Sequence, residues 1–130
     1  MEPEVTPANL DKVLTFLPLF EGQTDNLYSV QTERFTFYPY EYSPEVLRFI
    51  QTLYNENLIF VFDWSSWKEE AERHMNDPDL VAQADLSVLR RLLTLHVRAD
   101  RFNDGHIAHE IDSGHILAIL RRLKVIRDEM

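Results

Sequence analysis

The segment His106-Ile107-Ala108-His109-Glu110 carries the densest group of side chains able to do chemistry. His106 and His109 stand three positions apart and Glu110 follows His106 by one turn, so on a helix three potential metal ligands share part of one face. Two imidazoles and a carboxylate suit zinc or a similar divalent ion, and a further ligand would come from Asp112, His115 or His96. The spacing differs from the His-Glu-x-x-His pattern of metalloproteases. Paired histidines on a short helix also arise by chance, as solvated or hydrogen-bonded side chains, and that is the expectation here. No cofactor is expected.

A second group lies just upstream. Arg98, Asp100 and Arg101 flank a helix end and, with His106, form the best candidate pocket for a small anion or ligand, because guanidinium forks hold carboxylate or phosphate in bidentate fashion. The preferred alternative is structural, with the arginines fastening the loop by ion pairs to Asp63, Asp104 or another acid of the N-terminal half. His96 falls among Leu89, Leu92 and Leu93, which predicts a core histidine satisfied by one hydrogen bond rather than a catalytic one. Trp64, Trp67 and Tyr40, with Phe35, Phe37, Tyr38 and Tyr42, would line an aromatic surface or groove, or else cover the core.

Helices must position these groups. Leu86, Leu89, Leu93 and Val97 recur at helical spacing, widened by Val88, Leu92 and Leu95, and Asp85 is placed to cap the first turn. Ser87, Arg90, Arg91, Thr94 and Arg98 follow the opposite, polar face. After this helix, predicted to about Ala99, Asn103 and Asp104 are cap candidates for a short segment bearing Ile107, Ala108 and Ile111. Ser113-Gly114 breaks it, since glycine takes the left-handed conformation that ends helices. A third helix follows, with Ile116, Leu117, Ile119, Leu120, Leu123 and Ile126 inward and His115, Arg121, Arg122 and Lys124 outward or at the edge. These stripes require one another, leaving arginines and imidazoles around a shared rim.

Upstream, Thr6-Pro7 and Ser43-Pro44 are cap-then-proline starts, and Pro18 is expected to end or bend the first helix. Asp63 is a cap candidate for a helix over 64–75, and Asp77-Pro78 starts a short turn of helix. Leu58 to Trp64 is an apolar run too brief to classify. Residues 24–42 fit an ordered aromatic loop or small hairpin, with Pro39 arguing against a central strand. The reading is a mainly α single domain over 1–130, with about six helices.

Composition narrows the function classes. Hydrophobic residues at 45% and aromatic residues at 12% support a core and argue against disorder. The net charge of −9 is uneven: residues 1–85 carry 5 basic and 16 acidic side chains, whereas residues 86–130 carry 8 and 6. Such a chain repels phosphate backbones as a whole. Cysteine is absent, which removes disulfides, thiolate catalysis and cysteine-based zinc sites. With 3 glycines there is no phosphate-cradling loop or nucleophile elbow. The N-terminus lacks the basic and apolar regions of a signal peptide, and no run approaches a membrane span, so a cytoplasmic location is expected.

The Phe62-Asp63-Trp64-Ser65-Ser66-Trp67 segment, the Arg98 to Leu123 segment and the spacing between them resemble an uncharacterised bacterial family, a domain of unknown function, from about Tyr40 onward. The resemblance implies a mainly helical bacterial domain and transfers no functional residue.

The leading expectation is a non-enzymatic interaction or accessory module, with self-association as one option, in which the acidic N-terminal part and basic C-terminal face engage separate surfaces. The alternative is a small metal- or anion-dependent enzyme using Arg98, Arg101, His106, His109 and Glu110. Third is a helix-turn-helix nucleic-acid binder, with His115, Arg121 and Arg122 entering a groove; nucleic acid is disfavoured by the charge.

Overall fold

A computed structural model describes residues 2–22, 24–30 and 39–130. The chain runs α1 (Pro7–Leu14), α2 (Leu17–Glu21), β1 (Tyr28–Val30), β2 (Tyr40–Tyr42), α3 (Pro44–Asn55), a 3-10 turn over Trp64–Trp67, α4 (Lys68–Asn76), α5 (Pro78–Gln83), α6 (Leu86–Asp100), α7 (His106–Asp112) and α8 (His115–Asp128). The mainly α expectation holds, with more and shorter helices than six. One reason is the first helix, which divides at Thr15. Pro18 does not end it but sits in the first turn of α2, where its missing N–H leaves no helical bond unmade.

Side-chain caps start four of the eight α-helices among the described residues. Thr6 accepts from the Asn9 N–H in a capping box, Ser43 from Val46, Asp77 from Asp79 and Asp85 from Val88. Two expected caps fail. Asp63 accepts the Ser65 hydroxyl at 2.8 Å and caps no helical N–H. Asn103 and Asp104 yield to Gly105, which occupies the cap of α7 at φ +88° while Asp104 turns to the Tyr40 N–H.

Helices α6 and α8 form the centre. Leu89, Leu92, Leu93, Leu95 and Val97 of α6 meet Ile116, Ile119, Leu120 and Leu123 of α8, and Leu10, Val13, Leu17, Phe20, Val46, Phe49 and Leu53 close the core from α1, α2 and α3. The Phe20 and Phe49 rings meet edge to face at 4.9 Å. The expectation that Arg90 and Thr94 face water is wrong, because the 58–64 segment covers that side of α6. Leu58 and Phe60 are buried, the Phe60 N–H donates to Thr94 Oγ1 at 3.3 Å, and the Arg90 guanidinium lies 4.9 Å from the Phe60 ring centre while donating to the Asn57 carbonyl at 2.8 Å.

The uneven charge is partly spent within the chain. Arg127 pairs with Asp11 at 2.7 Å, Arg121 with Glu21 at 3.6 Å, and Arg90 and Arg91 with Glu2 at 3.4 and 3.7 Å. Basic residues of the C-terminal helices therefore meet some of the acidic N-terminal groups directly. The exposed pairs among these, Arg121 with Glu21 and Arg127 with Asp11, contribute little stability, whereas the Arg90 side chain is buried.

The aromatic stretch includes a hairpin. β1 and β2 are antiparallel with Tyr28 opposite Tyr42 and Val30 opposite Tyr40. The pairing begins just after Pro39, which has no N–H to offer a ladder. Phe35, Phe37 and Tyr38 lie outside the described residues.

Candidate functional site

Helix α7 is held by its surroundings rather than by its own seven residues. Asp100, at the end of α6, accepts the Ile107 N–H at 3.0 Å and the Tyr42 hydroxyl at 2.6 Å through the same Oδ1 atom, and Tyr42 in turn accepts the Ala108 N–H at 3.1 Å. A carboxylate from the preceding helix thus does the capping that Asn103 and Asp104 do not. Burial, then the hydrogen bond to Asp100, pushes the Tyr42 phenol far above its ordinary range, so it stays a donor. At the other end, the Tyr28 hydroxyl donates to Asp112 at 2.5 Å, a bond that raises that phenol to about 12. The hairpin also fixes the turn: a Cβ on Gly105 would sit 2.5 Å from the Tyr40 ring, and its positive φ independently disfavours a side chain.

With α7 fixed in this way, its inner face meets α6 and α8 in a polar centre inside the core. His96 is 1% exposed, Glu110 2% and His115 5%. One ring nitrogen from each histidine and one Glu110 oxygen lie within 4.8 Å of one another. His96 Nδ1 shares a hydrogen bond of 2.9 Å with His106 Nε2, and the His115 ring stands edge-on to His96 at 4.8 Å. Among the described residues, Nε2 of His96 and Nε2 of His115 have no hydrogen-bond partner. Glu110 has an ion-pair contact at 3.9 Å, to the exposed His109.

Burial sets the electrostatics here. It holds the His96 imidazole well below the usual range, helped by the neighbouring His115 and His106, and brings His115 down to about 4 with contributions from His74 and His106. Burial also lowers His106, against the pull of Asp100, and raises the Glu110 carboxyl, against the pull of His109. The imidazoles are therefore neutral near pH 7, with lone pairs available, as metal coordination or proton acceptance requires.

His106 connects this centre to the surface. It lines a cavity of about 220 Å³ together with Trp64, Ala71, Met75, Leu95, Ala99 and Phe102, and with Lys68 and Glu72. Phe102 is 81% exposed, yet its ring stacks on Trp64 at 6.1 Å. Lys68 lies 5.6 Å from the Trp64 ring centre.

The sequence-level candidates are therefore redistributed. His106 and Glu110 both turn inward, whereas His109 is exposed. Glu110 stands with His96 and His115, not with His106 and His109 as the α7 segment alone suggested. The His96 and His115 imidazoles lie inside the core rather than around a rim, with His106 between them and the surface cavity. His115 was expected outward; as the first residue of α8 it leans back toward the helix N-terminus and into α6. His96 does make the one expected hydrogen bond. Arg98 and Arg101 stay exposed, do not line the cavity, and have no ion pair to Asp63 or Asp104; Arg101 reaches the Tyr54 hydroxyl at 3.5 Å. Asp100 binds backbone and phenol instead of completing an anion pocket. Trp64 lines the cavity, Trp67 stacks on His74 at 6.2 Å, and Tyr40 belongs to the hairpin, so the aromatics do not form one groove. Phe102 had no signal in the sequence, because loop aromatics carry no periodicity.

The region once compared with a helix-turn-helix has the two helices and the turn at Gly114, but α8 packs on α1, α2, α5, α6 and α7. Arg122 Nε donates to the Ala84 carbonyl at 2.8 Å and His115 is buried, so two of the three residues named for a groove are engaged by the fold, while Arg121 is exposed. Among the described residues no helix is long and apolar enough to cross a membrane.

The profile of one family, described as "Family of unknown function (DUF6508)", matches residues 5–129. The match extends well upstream of Tyr40, where the sequence resemblance began. No curated protein matches, and no solved structure does.

Proposed function

The chain belongs to this family of unknown function, so its role has to be argued from its own surface, and we propose that it is a non-enzymatic protein-interaction or accessory module. The observation that carries this reading is Phe102, 81% exposed and stacked on Trp64 beside an apolar cavity of about 220 Å³. A large aromatic kept in water next to an empty apolar recess is the arrangement that anchors binding hot spots. Size decides the kind of occupant. Sites for drug-sized ligands and cofactors run to roughly 300–1,000 Å³, so this recess suits an apolar side chain of a partner. Lys68 and Glu72 supply polar contacts around it.

A photo-crosslinking residue at position 102, expressed in the native host, tests the proposal against the same residue at the exposed Glu69. Expected is a discrete adduct at 102 that disappears when Met75→Arg fills the recess, its mass telling a second copy from another protein. Equal labelling at both positions, with a strict monomer by light scattering, would sink the idea.

One observation favours a second reading, a metal-dependent enzyme: the convergence of His96, Glu110 and His115. Arg98 and Arg101 have no part in it, and its first requirement is a bound ion.

A further inference from the structure

Buried polar atoms in folded proteins are nearly always bonded, and groups left unbonded ask for an explanation. Here His96 Nε2 and His115 Nε2 lack partners, and both belong to residues that converge with the buried carboxylate of Glu110. We propose that His96, Glu110 and His115 form a binding site for one divalent transition-metal ion of the zinc type. This inference does not rest on the partner-binding role proposed for Phe102.

The donor set selects the class of ion. Two imidazoles and a carboxylate fit zinc and its neighbours, whereas calcium and magnesium favour all-oxygen shells and soft copper(I) favours sulfur, which a chain with 0 cysteines cannot offer as thiolate. Geometry is close to what is needed. Donor atoms within 4.8 Å of one another would close to roughly 3.4 Å apart around an ion at ordinary tetrahedral zinc distances of roughly 2.0–2.2 Å, each moving inward by under about an ångström.

The surroundings fit as well. A ligating histidine normally has its second nitrogen held by another group, which fixes the tautomer and the ring. His96 Nδ1 is so held by His106 Nε2 at 2.9 Å, and the nitrogen left over is the buried, unpartnered Nε2. His106 itself lines the surface cavity, which marks the side from which an ion would enter. Three protein ligands leave a fourth position for water or another small ligand.

The test uses the full chain, stripped with chelator and then titrated separately with zinc and magnesium, followed by calorimetry and native mass spectrometry. Expected are one zinc per chain and no magnesium. Glu110→Gln and His115→Gln should each weaken zinc binding by at least about 100-fold, His106→Asn by roughly 10- to 100-fold as an outer-shell change, and His109→Ala not at all. Circular dichroism checks that the core variants fold. If they do not, cobalt(II) bound to the wild type replaces them: intense visible bands, displaced by zinc and retained in His109→Ala, support the buried site, and their absence overturns it. The proposal also fails if the wild type binds no stoichiometric zinc, or if binding survives Glu110→Gln and His115→Gln but is lost in His109→Ala.

Discussion

Asp100 and Glu110 are carboxylates on either side of the same corner, and the two regions they occupy are opposites. Asp100 sits at the anchored end of α7, with the Ile107 N–H and the Tyr42 hydroxyl on one oxygen. Glu110 sits on the inner face, 2% exposed, with His109 at 3.9 Å as its ion-pair contact. The first region has its polar groups matched and serves the fold. In the second, His96 bonds to His106, but Nε2 of His96 and Nε2 of His115 stay unpartnered among the described residues beside Glu110, an arrangement a ligand would use. Saturation of hydrogen bonds, more than residue type, separates scaffold from candidate site here.

The contrast should appear most strongly in the pH dependence of the metal-free protein. His115 titrates near 4 when folded against an ordinary 6.5, so between those values the unfolded chain binds a proton that the folded one excludes. Stability is then fully present above pH 6.5 and falls as pH drops toward 4, by roughly 3 kcal/mol for this group. His96 and His106 act in the same direction, while Glu110, raised by burial, opposes them because its folded form gains from protonation. Urea midpoints between pH 7 and 4 should show the loss, and His115→Leu should flatten it; an unchanged slope in that variant would show that the centre is not the cause.

Substitutions sharpen the same comparison. Asp100→Ala strands two donors and should lower unfolding free energy by about 2–3 kcal/mol, whereas Glu110→Gln, measured without metal at pH 7, should lose nothing or gain slightly. Equal losses from both would erase the distinction between the two regions. Next in size is Gly105→Ala, with both a positive φ and the Tyr40 ring against it, expected to cost about 2 kcal/mol in chemical denaturation. Smallest are Arg98→Ala and Arg101→Ala, each within about 0.5 kcal/mol of wild type by thermal melting, because exposed arginines with no carboxylate partner among the described residues hold little together.

These effects also mark how far local sequence could be read. The caps at Thr6, Ser43, Asp77 and Asp85, the αL Gly114 and the apolar stripes of α6 and α8 were legible because each depends on residues within one or two turns. Glu110 offered a partial signal, standing three positions after Ile107 on a helix whose apolar face also holds Ala108 and Ile111. Arg90 offered none: a polar residue on the polar side of α6 reads as solvated until another segment is known to cover it. The same holds for Asp100, whose role depends on Tyr42, far away in the chain.

Sequence alone determined the helical class, many of the helix starts, the break at Gly114, and which chemistries lack parts, since propensity, capping and composition act over short range. Only the tertiary structure decided which polar residues were taken out of water and which partners they met there. It turned His96, Glu110 and His115 toward one another while leaving His109 outside, because burial depends on what packs against a helix face and not on that face's own residues.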